Sequence, residues 1–280
     1  MKKVLLTTSA LTLLAGAAAA DVSVSGYGRI GVANSGSTTS NYIRNRISFS
    51  GSATSDGGLS MSAWTRYQHG GQGTAAATGS FAGPRLTISN GAMTLTAGNG
   101  AGAIGWTSGL WGCGAVMWGC ADVTNDSWDW ASTSSGGAGP NVVRLDMALG
   151  GASVSISGGN GNDTEAAISM ALGDGKVGVG FDNNAASNQT VSINYSGSMG
   201  GMGVGLRMAQ QSGSGTGYMA TVSAPMAAGS VYVFAGKTLG ASNNYGLRYN
   251  QSLGGGASMQ AGVTSADGAT TVGAGVAFGF

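Results

Sequence analysis

The chain of 280 residues has little charge: only 8% of it is Asp, Glu, Lys or Arg, against about 25% in ordinary soluble domains. A surface facing water on all sides is hard to build from so few charges. With 12 basic and 11 acidic residues, the chain also lacks the basic excess that phosphate backbones demand, so nucleic acid is not an expected partner. Proline occurs three times against 54 glycines, and no Gly-x-y period is present, which excludes collagen. After Ala20 no apolar run approaches 18 residues, so no membrane-spanning helix is expected. The single histidine, His69, stands beside Gly70-Gly71 in a stretch read as a loop, with no serine signature to work on. A catalytic base needs a partner to orient it and a nucleophile beside it, so no enzyme is expected. The two cysteines, Cys113 and Cys120, lie far from that histidine and supply only two soft ligands, too few for a metal site.

What is present begins with an export signal. Met1-Lys2-Lys3 is basic, Val4 to Ala15 is mostly apolar, and Ala18-Ala19-Ala20 offers an A-x-A cleavage. Residues 1–20 therefore read as a secretory signal peptide and 21–280 as the exported protein. Outside the cytoplasm Cys113 and Cys120 are expected to form a disulfide, worth about 2.5 kcal/mol by loop closure. An exported chain that is 42% hydrophobic, yet spreads its apolar residues thinly, points to a transmembrane β-barrel, in which every second residue faces lipid. The competing class is a glycine-rich surface β protein, adhesive or structural, without a pore.

The phase of the alternation carries this further. Val22, Val24, Ile30 and Val32 share one face, while Ser23, Ser25, Tyr27 and Arg29 share the other. Ile43, Ile47 and Phe49 oppose Arg44, Arg46, Ser48 and Ser50, and Leu59, Met61 and Ala63 oppose Trp64 and Arg66. The pattern recurs in sixteen segments, ending with Val272 to Phe280, and an even number suits a closed bacterial barrel. All eight arginines fall in the phase opposite to the large apolar residues of their segment. Arginine facing lipid would cost about 2–4 kcal/mol at the midplane, so that phase should face a wet lumen. Short turns such as Ser55–Gly58, Asn90-Gly91 and Gly173–Gly175 alternate with longer polar connections such as 34–40, 69–80, 98–140 and 210–217. Outer-membrane barrels have short periplasmic turns and longer outer loops.

One stretch, 98–140, refuses the alternation. It holds Cys113 and Cys120, the acids Asp122, Asp126 and Asp129, and five of the six tryptophans, Trp106, Trp111, Trp118, Trp128 and Trp130. No lysine or arginine occurs between Arg85 and Arg144. A connection of this length is usually functional or disordered, and the tryptophans favour a folded loop. Two Gly-x-Gly-x-x-Gly matches, 26–31 and 100–105, lack the strand-to-helix setting of a nucleotide site. A lone G-G-x-G-x-D match at 158–163 lacks the repeats of a calcium-binding solenoid.

The opening at 1–32, the hairpin at 44–63 and the ending Val276-Ala277-Phe278-Gly279-Phe280 resemble the general diffusion porins of Gram-negative bacteria, particularly those of alphaproteobacteria related to Rhodobacter. The resemblance implies a 16-stranded outer-membrane barrel, a homotrimer, and a long third loop folded into the lumen as a constriction. It also implies a seam joining the first and last segments, with Asp21 near Phe280. Phe278 and Phe280 would form the terminal aromatic signal read by the outer-membrane assembly machinery. Family loops are often rich in acids, whereas this one has three, a cysteine pair and five tryptophans.

The expected function is passive diffusion of ions and small hydrophilic solutes. Arg29, Arg44, Arg46, Arg66 and Arg85 come from four successive segments and are expected to form one basic wall. Asp122, Asp126 and Asp129 would face it from the loop, and opposed charges across a constriction create a transverse field. Local pairing of arginines with Asp146 or Asp56 is the plainer alternative. The loop acids are also hard oxygen ligands of the kind Ca2+ takes, weak as a set of three; no other cofactor is expected. The loop tryptophans would suit a sugar-selective channel as stacking surfaces.

Overall fold

The computed structural model of the chain describes residues 21–72, 79–108, 141–159, 163–183, 189–237, 243–266 and 268–280. The first half runs β1 (Asp21–Ser35), β2 (Thr38–Thr54), β3 (Ser60–Gln72), β4 (Ser80–Phe81), β5 (Arg85–Ser89), β6 (Met93–Asn99), a short helix α1 (Ala103–Ser108), β7 (Asn141–Leu149) and β8 (Ala152–Gly159). The second half adds β9 (Asp163–Leu172), β10 (Gly175–Asn183), β11 (Gln189–Met199), β12 (Met202–Gln211), β13 (Gly215–Met226), β14 (Gly229–Lys237), β15 (Asn243–Gly254), β16 (Ala257–Ala266) and β17 (Ala269–Gly279).

Apart from β4 and β5, which do not pair with each other, every strand pairs antiparallel with its neighbours in sequence, and β17 pairs back onto β1, so the sheet closes. Both β4 and β5 pair with β3, through Tyr67 opposite Phe81 and Trp64 opposite Arg85. They form one span interrupted at Gly83-Pro84, just after Ala82 N donates to Arg66 O at 2.7 Å, because proline has no N–H to give a ladder. Counted so, the barrel has sixteen spans, and closure leaves no edge strand to seek another partner.

Neighbouring residues on a strand have opposite fates. Val143 is 54% exposed and Arg144 3%; Phe181 is 41% exposed and Asp182 0%; Leu206 is 50% exposed and Arg207 5%. A soluble protein hides the first of each pair and shows the second. The inversion is stable only where the outer solvent is hydrocarbon, which accepts apolar side chains and penalises charge. No described helix is long and apolar enough to cross a membrane. The strands do the crossing, with their backbone groups satisfied in the closed ladder.

Three expectations are corrected here. The connections expected at 34–40 and 210–217 shrink to two and three residues, because β1 and β2 pair out to Ser35 opposite Thr38, and β12 pairs with β13 out to Gln211 opposite Gly215. His69 lies not in a loop but on β3, exposed and opposite Asn45. The seam does join the first and last spans, but Phe280 meets Gly26 rather than Asp21. Gly26 N donates to Phe280 O at 2.8 Å, and Phe280 N donates to Gly26 O at 3.0 Å. Asp21 therefore extends five residues, about 17 Å of strand, past the end of the seam. Phe278 and Phe280 lie on the outer face, their rings over Gly28 and Gly26, where any Cβ would meet a ring carbon within 2.7 Å.

Candidate functional site

Four adjacent spans bring the predicted arginines onto one stretch of the inner wall. Arg29 on β1 stands directly opposite Arg44 on β2, and Tyr27 is opposite Arg46. Arg46 is in turn opposite Gln68 on β3, whose side-chain oxygen accepts a hydrogen bond from Arg46 Nε. Arg66 follows on the same face of β3, and Arg85 on β5 is opposite Trp64. Like charges placed directly across a ladder repel. Here each guanidinium lies on an aromatic face. The Tyr27 ring carries Arg29 at 4.7 Å and Arg46 at 5.2 Å; the Trp64 ring carries Arg85 at 4.6 Å and Arg66 at 5.2 Å; Tyr42 carries Arg44 at 5.1 Å. Each such contact offsets about 0.5–1 kcal/mol of the cost of holding a guanidinium in place. On β1–β6 the only acid is Asp21, at the exposed foot of β1.

The wall changes character at β7. Arg144, buried, pairs with Asp146 through Nε at 3.0 Å to both carboxylate oxygens, and Ser155 donates to Asp146 Oδ1 at 2.6 Å. This is the local pairing anticipated for Asp146. Beyond it two further acids, Glu165 on β9 and Asp182 on β10, are fully enclosed on the inner side. Their signal was present in the phase, since each alternates with outward Ala166 or Phe181.

The first turn of the long connection rests on this second region. Ala103 and Ile104 are fully buried, and α1 packs on β8 to β11. Ala103 N donates to Ser157 Oγ at 2.8 Å and Ile104 N to Glu165 Oε2 at 2.7 Å, while Arg144 Nη1 donates to Ala101 O. A helix leaves its first N–H groups without intrahelical partners. Wall side chains from two strands supply the missing acceptors here. Trp106, 58% exposed, lies with its ring 4.2 Å from the Arg144 guanidinium.

Asp122, Asp126, Asp129, Cys113, Cys120, Trp111, Trp118, Trp128 and Trp130 lie outside the described residues, as does the signal peptide expected at 1–20. Among the described residues no cluster of three or more His, Cys, Asp or Glu is placed to hold a metal.

Comparison with solved structures agrees with the barrel. A double mutant of Rh. blastica porin superposes with a TM-score of 0.80 at 18% identity, covering 93% of this chain and 100% of that one. A triple mutant of the Rhodopseudomonas blastica porin gives 0.78 at 17% over the same shares. At these identities the likeness carries the fold alone. No curated protein matches the chain. The model of the Gram-negative porin family matches residues 7–276, nearly the whole length. Sixteen closed spans, an apolar outer face, a polar interior and that match together mean that the chain belongs to the Gram-negative porin family and is a passive diffusion channel of the bacterial outer membrane.

Proposed function

We propose that the channel sorts small hydrophilic solutes and ions by charge, with Arg29, Arg44, Arg46, Arg66 and Arg85 as its basic wall and the loop acids Asp122, Asp126 and Asp129 as the opposing side. The observation that carries this is the register: five arginines on four adjacent spans, held on Tyr27, Tyr42 and Trp64. A solute crossing between opposed charges meets a transverse field that favours polar over apolar molecules, strengthened by the low-dielectric barrel around it. The channel does no chemistry in this scheme, so no side chain needs a catalytic role.

The test is the reversal potential in planar bilayers under a salt gradient. Arg44→Ala with Arg46→Ala should shift it toward cations, and Asp122→Ala with Asp126→Ala toward anions. A conducting channel whose selectivity ignores all four substitutions would overturn this assignment while leaving the barrel intact.

A further inference from the structure

The buried carboxylate of Glu165 has an unusual correspondent: a backbone N–H 61 residues earlier in the chain. Around that contact four neighbouring strands hold the same short segment. Arg144 on β7 donates to Ala101 O, Ser157 on β8 accepts from Ala103 N, and Glu165 on β9 accepts from Ile104 N. On β10 the Ile104 side chain lies over Gly180, where an added Cβ would come within 2.8 Å of Ile104 Cγ1. Gly102 is equally constrained, because a Cβ there would stand 2.1 Å from Glu165 Oε1. One glycine in the docked segment and one on the wall beneath it, each with a side chain where a Cβ would go, mark a close approach of segment and wall.

We propose that Glu165 is the positioning residue that fixes the start of the long connection to the inner wall, and so sets the open width of the channel. The inference rests on the diffusion reading above. Its chemistry is that of an acceptor: a wall carboxylate takes the N–H that the segment's own Gly102-Ala103 sequence cannot satisfy. Leaving that N–H buried and unpaired would favour an undocked segment. Residues 101–104 lie against the inner wall, so releasing them changes the space that this part of the lumen leaves open.

The experiment uses the full chain in planar bilayers. Glu165→Leu removes the acceptor, and Gly102→Val blocks the approach while leaving the wall unchanged; both should raise open-channel current noise and shift the mean conductance. Glu165→Gln keeps a side-chain oxygen for Ile104 N–H and should behave as the unsubstituted channel does. Heat-modifiable migration on gels reads barrel integrity separately, so a folding failure in Glu165→Leu leaves Gly102→Val to decide. Unchanged noise and conductance in Gly102→Val would overturn the proposal, and so would a Glu165→Gln channel as noisy as one lacking the acceptor. An unsubstituted chain that conducts nothing would instead sink the diffusion reading, and this inference with it.

Discussion

Arg144 is the residue on which the described polar contacts converge. It is buried, bonded to both oxygens of Asp146, donates to Ala101 O, and stacks on Trp106. Breaking a buried ion pair from one side strands the other charge, which is costlier than losing the pair. Asp146→Ala should therefore destabilise the barrel by about 3 kcal/mol, read as a lower urea midpoint in unfolding from detergent or lipid. A midpoint equal to that of the unsubstituted chain would mean that lumen water, not Asp146, balances Arg144. The pair is legible in the sequence, because residues two apart on a strand share a face and the alternation places both on the polar one. The Glu165 contact was not legible. Its partner is the backbone N–H of Ile104, in a glycine-rich stretch, 98–105, whose path no side-chain period announces.

At the level of the strand pair, the sequence spoke clearly where two solvents meet on either side of a ladder. Lipid outside and water inside force a period of two, and the segments from Val22 to Phe280 kept it. It spoke poorly about where strands stop, since Asn34 to Ser40 is polar and small and still pairs as ladder up to Ser35 opposite Thr38. Polar composition marks a loop only when water, not a neighbouring strand, satisfies the backbone. The β13–β14 hairpin shows the reverse case, a tight turn without the residue it favours. Met226 pairs with Gly229, and Ala227 between them adopts a φ of 51°. An L-residue there costs about 1–2 kcal/mol that glycine does not. Ala227→Gly should accordingly stabilise the barrel by about 1 kcal/mol after its unfolded-state entropy is counted, with no change in conductance. A lower unfolding midpoint in that variant would show that the turn is not under the strain its backbone implies.

For the whole molecule, the distribution of charge around the wall matters more than its total. The chain is close to neutral, with 12 basic and 11 acidic residues, yet the inner face is divided. From β1 to β5 it carries five arginines and only the peripheral Asp21, while from β7 to β10 it carries Asp146, Glu165 and Asp182 alongside Arg144 and Lys176. The five arginines are half-buried, whereas Glu165 and Asp182 are enclosed. Selectivity should then depend on salt in a particular way. The Debye length is about 10 Å at 0.1 M and about 3 Å at 1 M, so raising salt silences charges that act across the lumen and spares those the ion brushes past. In dilute salt the channel should respond to Arg44→Ala with Arg46→Ala, and at 1 M most of that response should vanish if the arginines act at a distance. If the shift in reversal potential persists undiminished at 1 M, the ion path runs within a few ångströms of the Tyr27–Tyr42 arginines, and the picture of a field spanning the whole lumen gives way to one of direct contact along β1 and β2.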